Sequence, residues 1–445
     1  MFDKIIKWSL NNRLLVIVAY IVFLVVGVFI VQKMTVDVFP EFAPPQVVVQ
    51  TESPGLSPED VEKLITFPIE SAVNGTPNVE AVRSKSSVGL STVVVVFRWG
   101  TNIYTARQMV NERLQLAQGN FPPGTKPPVM LPVTSAVSWL IKYALTSETL
   151  SPLDLRTLSD WEIRNRLLAI PGVASVVSIG GGVKQYQVLI SLEKLFHYNL
   201  TVADVVSAAS RANVNVPAGF IVTGGQEYIV TGIGRLRSLD DLKNTVVTER
   251  KGTPIKIGDL AEVRFGPEAP RGDASYNGKP AVIGTVSKAF GTDTLTVTYQ
   301  VEQALKEIQK TLPKGIKLQT EIFRQANFIE SSIRNLKEAL AEGTLIVTIV
   351  ILFFLFNVRA SFISLTAIPT SLIFGVMVLE YMGIGINAMT LGGMAVAIGE
   401  VVDDAVIDVE NVFRRLRENR QKQPPTPPLQ VVFYASKEIR DSVIY

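Results

Sequence analysis

The chain of 445 residues is 47% hydrophobic with a mean hydropathy of +0.28, too apolar for an ordinary soluble protein and too polar for membrane spans alone. Its 43 basic and 40 acidic residues nearly cancel, so charge gives no ground for nucleic acid as a partner. Cysteine is absent and His197 is the single histidine, which excludes disulfides, thiol chemistry, Cys-based zinc sites and His-cluster metal centres.

Lys4, Lys7 and Arg13 precede the uncharged run "LLVIVAYIVFLVVGVFIV" at 14–31, which is long enough to cross a bilayer. It is too long for the apolar core of a signal peptide, and no small-x-small cleavage site follows, so an uncleaved span is predicted.

From 36 to 335 the pattern alternates strands with amphipathic helices, as in α/β or α+β sandwiches. "PQVVVQTE" reads as a strand, and "SPEDVEKLITFPIESAVNG" as a helix capped by Ser57 with Asp60 three residues on, a variant capping box. "VEAVRSKSSVGLSTVVVVFRW" reads as two strands and "NIYTARQMVNERLQLAQGNFP" as a helix. "WLIKYALT" is then a strand and "SPLDLRTLSDWEIRNRLLAI" a helix. An internal echo follows, in which Pro77 to Val82 aligns with Pro171 to Val176, each after a helix and before a strand, polar turn and strand. A repeated unit of this length predicts duplicated ferredoxin-like subdomains. The segment from "LTVADVV" to "YIVTG" breaks the rhythm and reads as an inserted module. "GGG" at 180–182 and "TGIGRL" lack the spacing and Lys-Ser/Thr pair of a phosphate loop, so hairpin turns are expected there. No ATPase motif appears. Met109, Met130, Met377, Met382, Met389 and Met394 are expected to face lipid or to pack rather than to ligate a soft metal. His197 is expected at a surface or helix end.

Three more apolar blocks follow, at 339–356, 362–383 and 388–412, with Pro369 a predicted kink in the second. Arg359 lies between the first two of these. Arg414, Arg415, Arg417 and Arg420 follow the last. By the positive-inside rule these sites and the N-terminus are cytoplasmic, giving four spans with 34–335 outside the cytoplasm.

The last block carries Glu400, Asp403, Asp404, Asp408 and Glu410. At about 100° per residue Asp403 and Glu410 share a face, about 10 Å apart along the axis, with Asp404 and Asp408 neighbours on the adjacent face. Gly392, Gly393 and Gly399 are expected to allow close helix packing beside them. A surface amphipathic helix would also carry such acids. The apolar run before them and the arginines after them favour a span instead. Asp408 and Glu410 lie near the cytoplasmic edge, where simple solvation is an equal alternative. Paired acids deep in a membrane have raised, coupled proton affinities, and that is the chemistry of a proton relay.

"VVDDAVIDVEN" in a fourth span resembles the relay helix of the resistance-nodulation-division (RND) efflux transporters. "NNRLLV", "VDVFPEFAPPQVVVQTESPGLSPEDVEKLITFPIE", "PGVASVVSIGG", "RANVNVPAGFIVTGGQEYIVTG" and "GTPIKIGDLAEVRFGPEAPRGDASYNGKPAV" extend the likeness along essentially the whole chain. The first of the long motifs is most similar to the heavy-metal cation efflux branch, with the multidrug branch its neighbour. The resemblance implies an α+β membrane protein of the inner membrane, a proton antiporter rather than an enzyme, with no cofactor. It implies a trimer working with a periplasmic adaptor and an outer-membrane channel on a metal cation substrate. It also implies a domain order of 1–33 for the N-terminal helix and first span, 34–335 for the periplasmic porter region, 336–413 for spans two to four, and 414–445 for a cytoplasmic basic segment. A docking subdomain is expected within the porter region, at about 183–265. Asp403 and Asp404 take the family's paired relay positions, Glu410 the acid of its "VEN" element, and Asp408 is an extra acid. Family members have two homologous halves. The chain is therefore expected to be an N-terminal half needing a C-terminal half, which would bring the lysine that pairs with the acids and the metal ligands of the main cleft. A membrane-anchored remnant without transport is the competing expectation.

Overall fold

The computed structural model describes residues 2–37, 43–269, 272–355 and 357–444. Strands Gln46–Glu52, Val79–Ser87, Leu90–Phe97 and Val129–Met130 form an antiparallel sheet in which the second, third, first and fourth lie side by side. Two helical segments cover one face. The first starts at Ser57, whose side chain accepts from the Asp60 N–H, and runs through Pro58–Val61, a wide turn at Glu62–Thr66 and Phe67–Val73. The second is Ile103–Gln118, capped by Asn102. Alternation on Leu90–Phe97 turns Val93, Val95 and Phe97 onto those helices, where all three are fully buried. Each such side chain contributes about 1.5–3 kcal/mol through burial.

A second unit repeats this order with strands Thr134–Ser147, Val173–Ile179, Val282–Ala289 and Ile316–Arg324. Its helices run from Pro152 to Leu168, again with a wide turn at Ser159–Ile163, and over Thr294–Thr311. Ser151 caps the first of them as Ser57 does in the first unit.

Two sequence expectations need correction here. The strand Lys184–Ile190 is not the hairpin partner of Val173–Ile179; it pairs with Ala261–Pro267, and Val282–Ala289 takes the hairpin place instead. A whole module thus enters where the first unit has the tight turn at Val88 and Gly89. Accordingly Gly180 to Gly182 are not a hairpin turn but the exit from one unit into the module. All three have positive φ, and a Cβ on Gly181 would lie 2.3 Å from the carbonyl oxygen of Pro152. The module has its own small cores, around Leu195, Val205, Ile255 and Leu260 and around Leu242, Ile257 and Val263. From it projects the hairpin Val216–Thr223 and Gln226–Gly232.

The remaining helices form a bundle. Among the described residues two are long and apolar enough to cross a membrane, Arg13–Val31 and Val358–Tyr381. Helices Ala326–Leu355 and Ala388–Asn419, of 30 and 32 residues, lie with them. Length and composition therefore support two spans directly, not four; Glu400, Asp403 and Asp404 interrupt the apolar run of the last helix. The helix over 358–381 breaks at Thr366. Pro369 has no N–H for the Leu365 carbonyl and its ring crowds that turn, so the predicted kink falls just before the proline.

Gly27, which the sequence did not flag, is where the first helix approaches this kinked one. A Cβ on Gly27 would stand 2.0 Å from Cγ2 of Ile373. Gly27→Ala should lower the melting temperature of the detergent-purified chain, by an overpacking cost of about 1–3 kcal/mol. Adding Ile373→Ala should recover most of it. An unchanged melting temperature for Gly27→Ala alone would refute the close approach.

Candidate functional site

Glu400, Asp403, Asp404, Asp408 and Glu410 all lie on the helix Ala388–Asn419. Its start is tightly specified. Asn387 is buried, and its Oδ1 accepts from the N–H groups of Met389 and Thr390, while the Thr390 hydroxyl oxygen accepts from the Asn387 N–H. This reciprocal cap satisfies two of the orphan donors at a helix end set against other protein. The Gly383 backbone has φ +72, which lets the chain turn into the cap.

Val406 and Val409 pack on a core of Ile351, Ala360 and Ile368 from the neighbouring helices. These valines fix the rotation of the helix. Asp404 and Glu410 are consequently exposed, together with Ile407 and Glu400, while Asp408 is half-buried between the two sides. Asp403 is helical, and its side chain lies outside the described residues. Among the described residues no ion pair or hydrogen bond from another side chain reaches Asp404, Asp408 or Glu410. The expectation that Gly392, Gly393 and Gly399 serve close packing is not met within this chain, since a Cβ at any of them would meet open space. Glu400, Asp404, Glu410 and the three glycines are all exposed.

The far end of the helix is held by a second latch. Helix Pro428–Ile444 folds back along it. The buried Asn411 donates from Nδ2 to the Ala435 carbonyl at 3.1 Å, and Arg415 clamps both oxygens of Glu438 at 2.5 and 3.1 Å. The Arg415 guanidinium and the Asn411 amide hold the Glu438 carboxyl below its ordinary range. Lys437 reaches Asp3 of the N-terminal helix at 3.3 Å. Both ends of the chain therefore meet at one end of the bundle.

At the opposite end the bundle meets the soluble units, through residues that sequence reasoning missed. Lys288 is 2% exposed and its Nζ donates to Oδ2 of Asp37 at 2.5 Å and to the Thr292 carbonyl at 3.2 Å. The Thr294 hydroxyl donates to Oδ1 of the same Asp37 at 2.6 Å. A cavity of about 410 Å³ opens beside them, lined by Thr35, Asp37, Lys288, Thr292, Gly385 and Asn387 among others. A signal for Lys288 exists, because it continues the inward register of Val282, Gly284 and Val286 on its strand. Asp37, 251 residues earlier, carries no such signal.

Among the described residues no three His, Asp or Glu side chains converge. Met109 and Met130 pack on the first core, and Met34 and Met394 pack among the helices. His197 is exposed in the last turn of a helix, against Tyr198.

A family model described as AcrB/AcrD/AcrF matches residues 5–445. The chain is 37% identical to "Protein HelA" of Legionella pneumophila over 99% of its own length and 42% of that protein. It is 36% identical to the "Cobalt-zinc-cadmium resistance protein CzcA" of Cupriavidus metallidurans, over 100% of itself and 43% of that protein. With the "Cation efflux system protein CusA" of Escherichia coli it shares 34% identity over 95% of itself and 41% of that protein. The crystal structure titled as a heavy metal efflux pump, crystal form II, superposes with a TM-score of 0.87 at 27% identity, covering 98% of this chain and 43% of that one. The chain thus spans less than half the length of the relatives it matches.

Proposed function

The chain belongs to the AcrB/AcrD/AcrF family and corresponds to the N-terminal portion of its heavy-metal efflux members, and from this premise we propose that it is half of a proton-driven exporter of metal cations. One observation carries the reading. A helix of 32 residues turns Asp404 and Glu410 away from its own bundle, with no partner for them among the described residues. Carboxylates in a membrane helix face a polar interior or a partner, and an outward acidic side supplies one wall of a proton path. A C-terminal counterpart, in cis or in trans, would supply the other wall and its basic group. Asp403 and Asp404 act as the relay pair, Glu410 lies further along the same path, and Asp408 is auxiliary.

The exposed hairpin supports assembly. Phe220 faces Ile229 across it and Ile229 is 84% exposed, an apolar arm without a partner among the described residues. A trimer docked to a periplasmic adaptor and an outer-membrane channel accounts for such an arm. An inner-membrane location with four spans accounts for the meeting of both chain ends at one pole and the soluble units at the other. Cysteine labelling should accordingly find Gly100, Gly225 and Asn277 outside the cytoplasm and Arg359 and Arg417 inside; labelling of position 225 from the cytoplasmic side sinks the topology.

Reconstitution tests the function. In proteoliposomes the chain together with a C-terminal counterpart should move zinc, cobalt or cadmium ions when a pH gradient is imposed to drive them, and the chain alone should not. Absence of metal-dependent proton movement in the restored complex would reject proton-driven metal export. Transport by the chain alone would reject the half-exporter.

A further inference from the structure

The described end of the linker after the first span makes three kinds of contact within three residues. Its backbone joins the loop that starts the acidic helix: Ile386 N–H donates to the Thr35 carbonyl and Asp37 N–H to the Ile386 carbonyl, both at 2.9 Å. Gly385 lies so close that a Cβ there would stand 2.7 Å from Oγ1 and 2.9 Å from the backbone oxygen of Thr35. On the other side, Val36 N–H donates to Oδ2 of Asp293, the residue that caps helix Thr294–Thr311 of the second soluble unit. The Asp37 carboxylate then takes the Thr294 hydroxyl and the buried ammonium of Lys288, on the strand beside that helix. One residue past Ile386 is Asn387, the cap of the acidic helix.

We propose that Thr35–Asp37 is the clasp that converts displacement of the acidic helix into displacement of the second soluble unit, with Asp37 and Lys288 as its positioning residues. This rests on the proton-driven reading above. The loop at 383–387 and the acidic helix are joined through a satisfied cap, so axial movement of the helix carries Gly385 and Ile386 with it. Two backbone hydrogen bonds pass that movement to Thr35–Asp37. From there it meets a lysine with almost no solvent access. An ammonium buried at 2% exposure cannot leave its carboxylate without a large desolvation cost, so the joint moves as a unit. A hydrogen-bonded pair also has a fixed direction, which apolar contact lacks. Proton uptake and movement of the soluble units can be linked only through an element that both bias, and these residues physically join the two.

The experiment uses the complex restored with its C-terminal counterpart in proteoliposomes, with zinc ion as the transported probe and a pH-sensitive dye for protons. Asp37→Ala should lower the metal exported per proton by about tenfold or more. Asp37→Leu with Lys288→Met removes the pair without leaving a buried charge, and it should melt like the parent yet remain uncoupled. Parent-like coupling in both variants overturns the clasp, as does a double variant that regains transport together with stability, since the pair then serves only folding. Loss of proton and metal flux in equal measure in a stably folded double variant also overturns it. Failure of the unmodified complex to couple protons to metal strikes the underlying function instead and is recognised before any variant is read.

Discussion

On the proposed relay, Asp403→Asn and Asp404→Asn should each lower metal export by the restored complex roughly a hundredfold or more, as loss of a positioned proton carrier does, while the protein should reach the membrane in normal amount. Asn copies the shape of Asp but cannot release a proton. A relay needs at least one member of its pair to titrate within the working pH range. Folding should survive, because Val406 and Val409 pack the helix onto its bundle and Asp404 is exposed. Removing a charge from a membrane interior can even stabilise the assembly. Asp408→Asn should have the smaller effect, since Asp408 is half-buried and turned partly away from the outward acidic side. Metal resistance of cells, with protein level checked by blot, reads the outcome. Near-normal export by both of the first two variants would leave these acids as structural partners of another helix.

Gly181→Ala should be among the most damaging single-methyl additions in the soluble region. Its φ of +74 strains any L side chain, and the new Cβ would meet the backbone oxygen of Pro152 at 2.3 Å and Cβ of Arg156 at 3.0 Å. Strain alone costs roughly 1–2 kcal/mol, and the clash has no flexible side-chain end to yield. Gly224→Ala is the control, with φ +60 but nothing within 4 Å, at the tip of the exposed hairpin. Thermal unfolding should show a clearly larger drop for Gly181→Ala than for Gly224→Ala. Equal drops would mean that backbone strain alone matters at both sites, and that the contact with Pro152 does not.

Much of the fold was legible because it is local. Ser57 announces its helix, and "TVVVVF" alternates in a strand with one face on a core. The echo between the prolines at 77 and 171 revealed the repeat. It misled about the next strand, since nothing in "VKQYQVLI" tells which of two distant strands will pair with it. The acidic side of the last long helix was legible from helical periodicity. Which way that side faces was not, because rotation is set by valines meeting residues some tens of positions earlier. For the same reason Gly27 was silent while Gly392, Gly393 and Gly399 drew attention: a glycine's use depends on the neighbour it admits, here Ile373. Asp37 and Lys288 show the limit of reading one chain in order. Either is an ordinary charged residue until the fold brings them together.

The module between residues 183 and 268 begins and ends a single hydrogen bond apart, with Glu268 N–H donating to the Val183 carbonyl at 2.8 Å. A segment whose ends already touch adds little chain-closure entropy to its host, and that small cost grows only with the logarithm of its length. The second unit is therefore a socket: excising the module and rejoining its strands with a turn like that at Val88 and Gly89 should leave a foldable scaffold. Another module with ends similarly spaced should graft there.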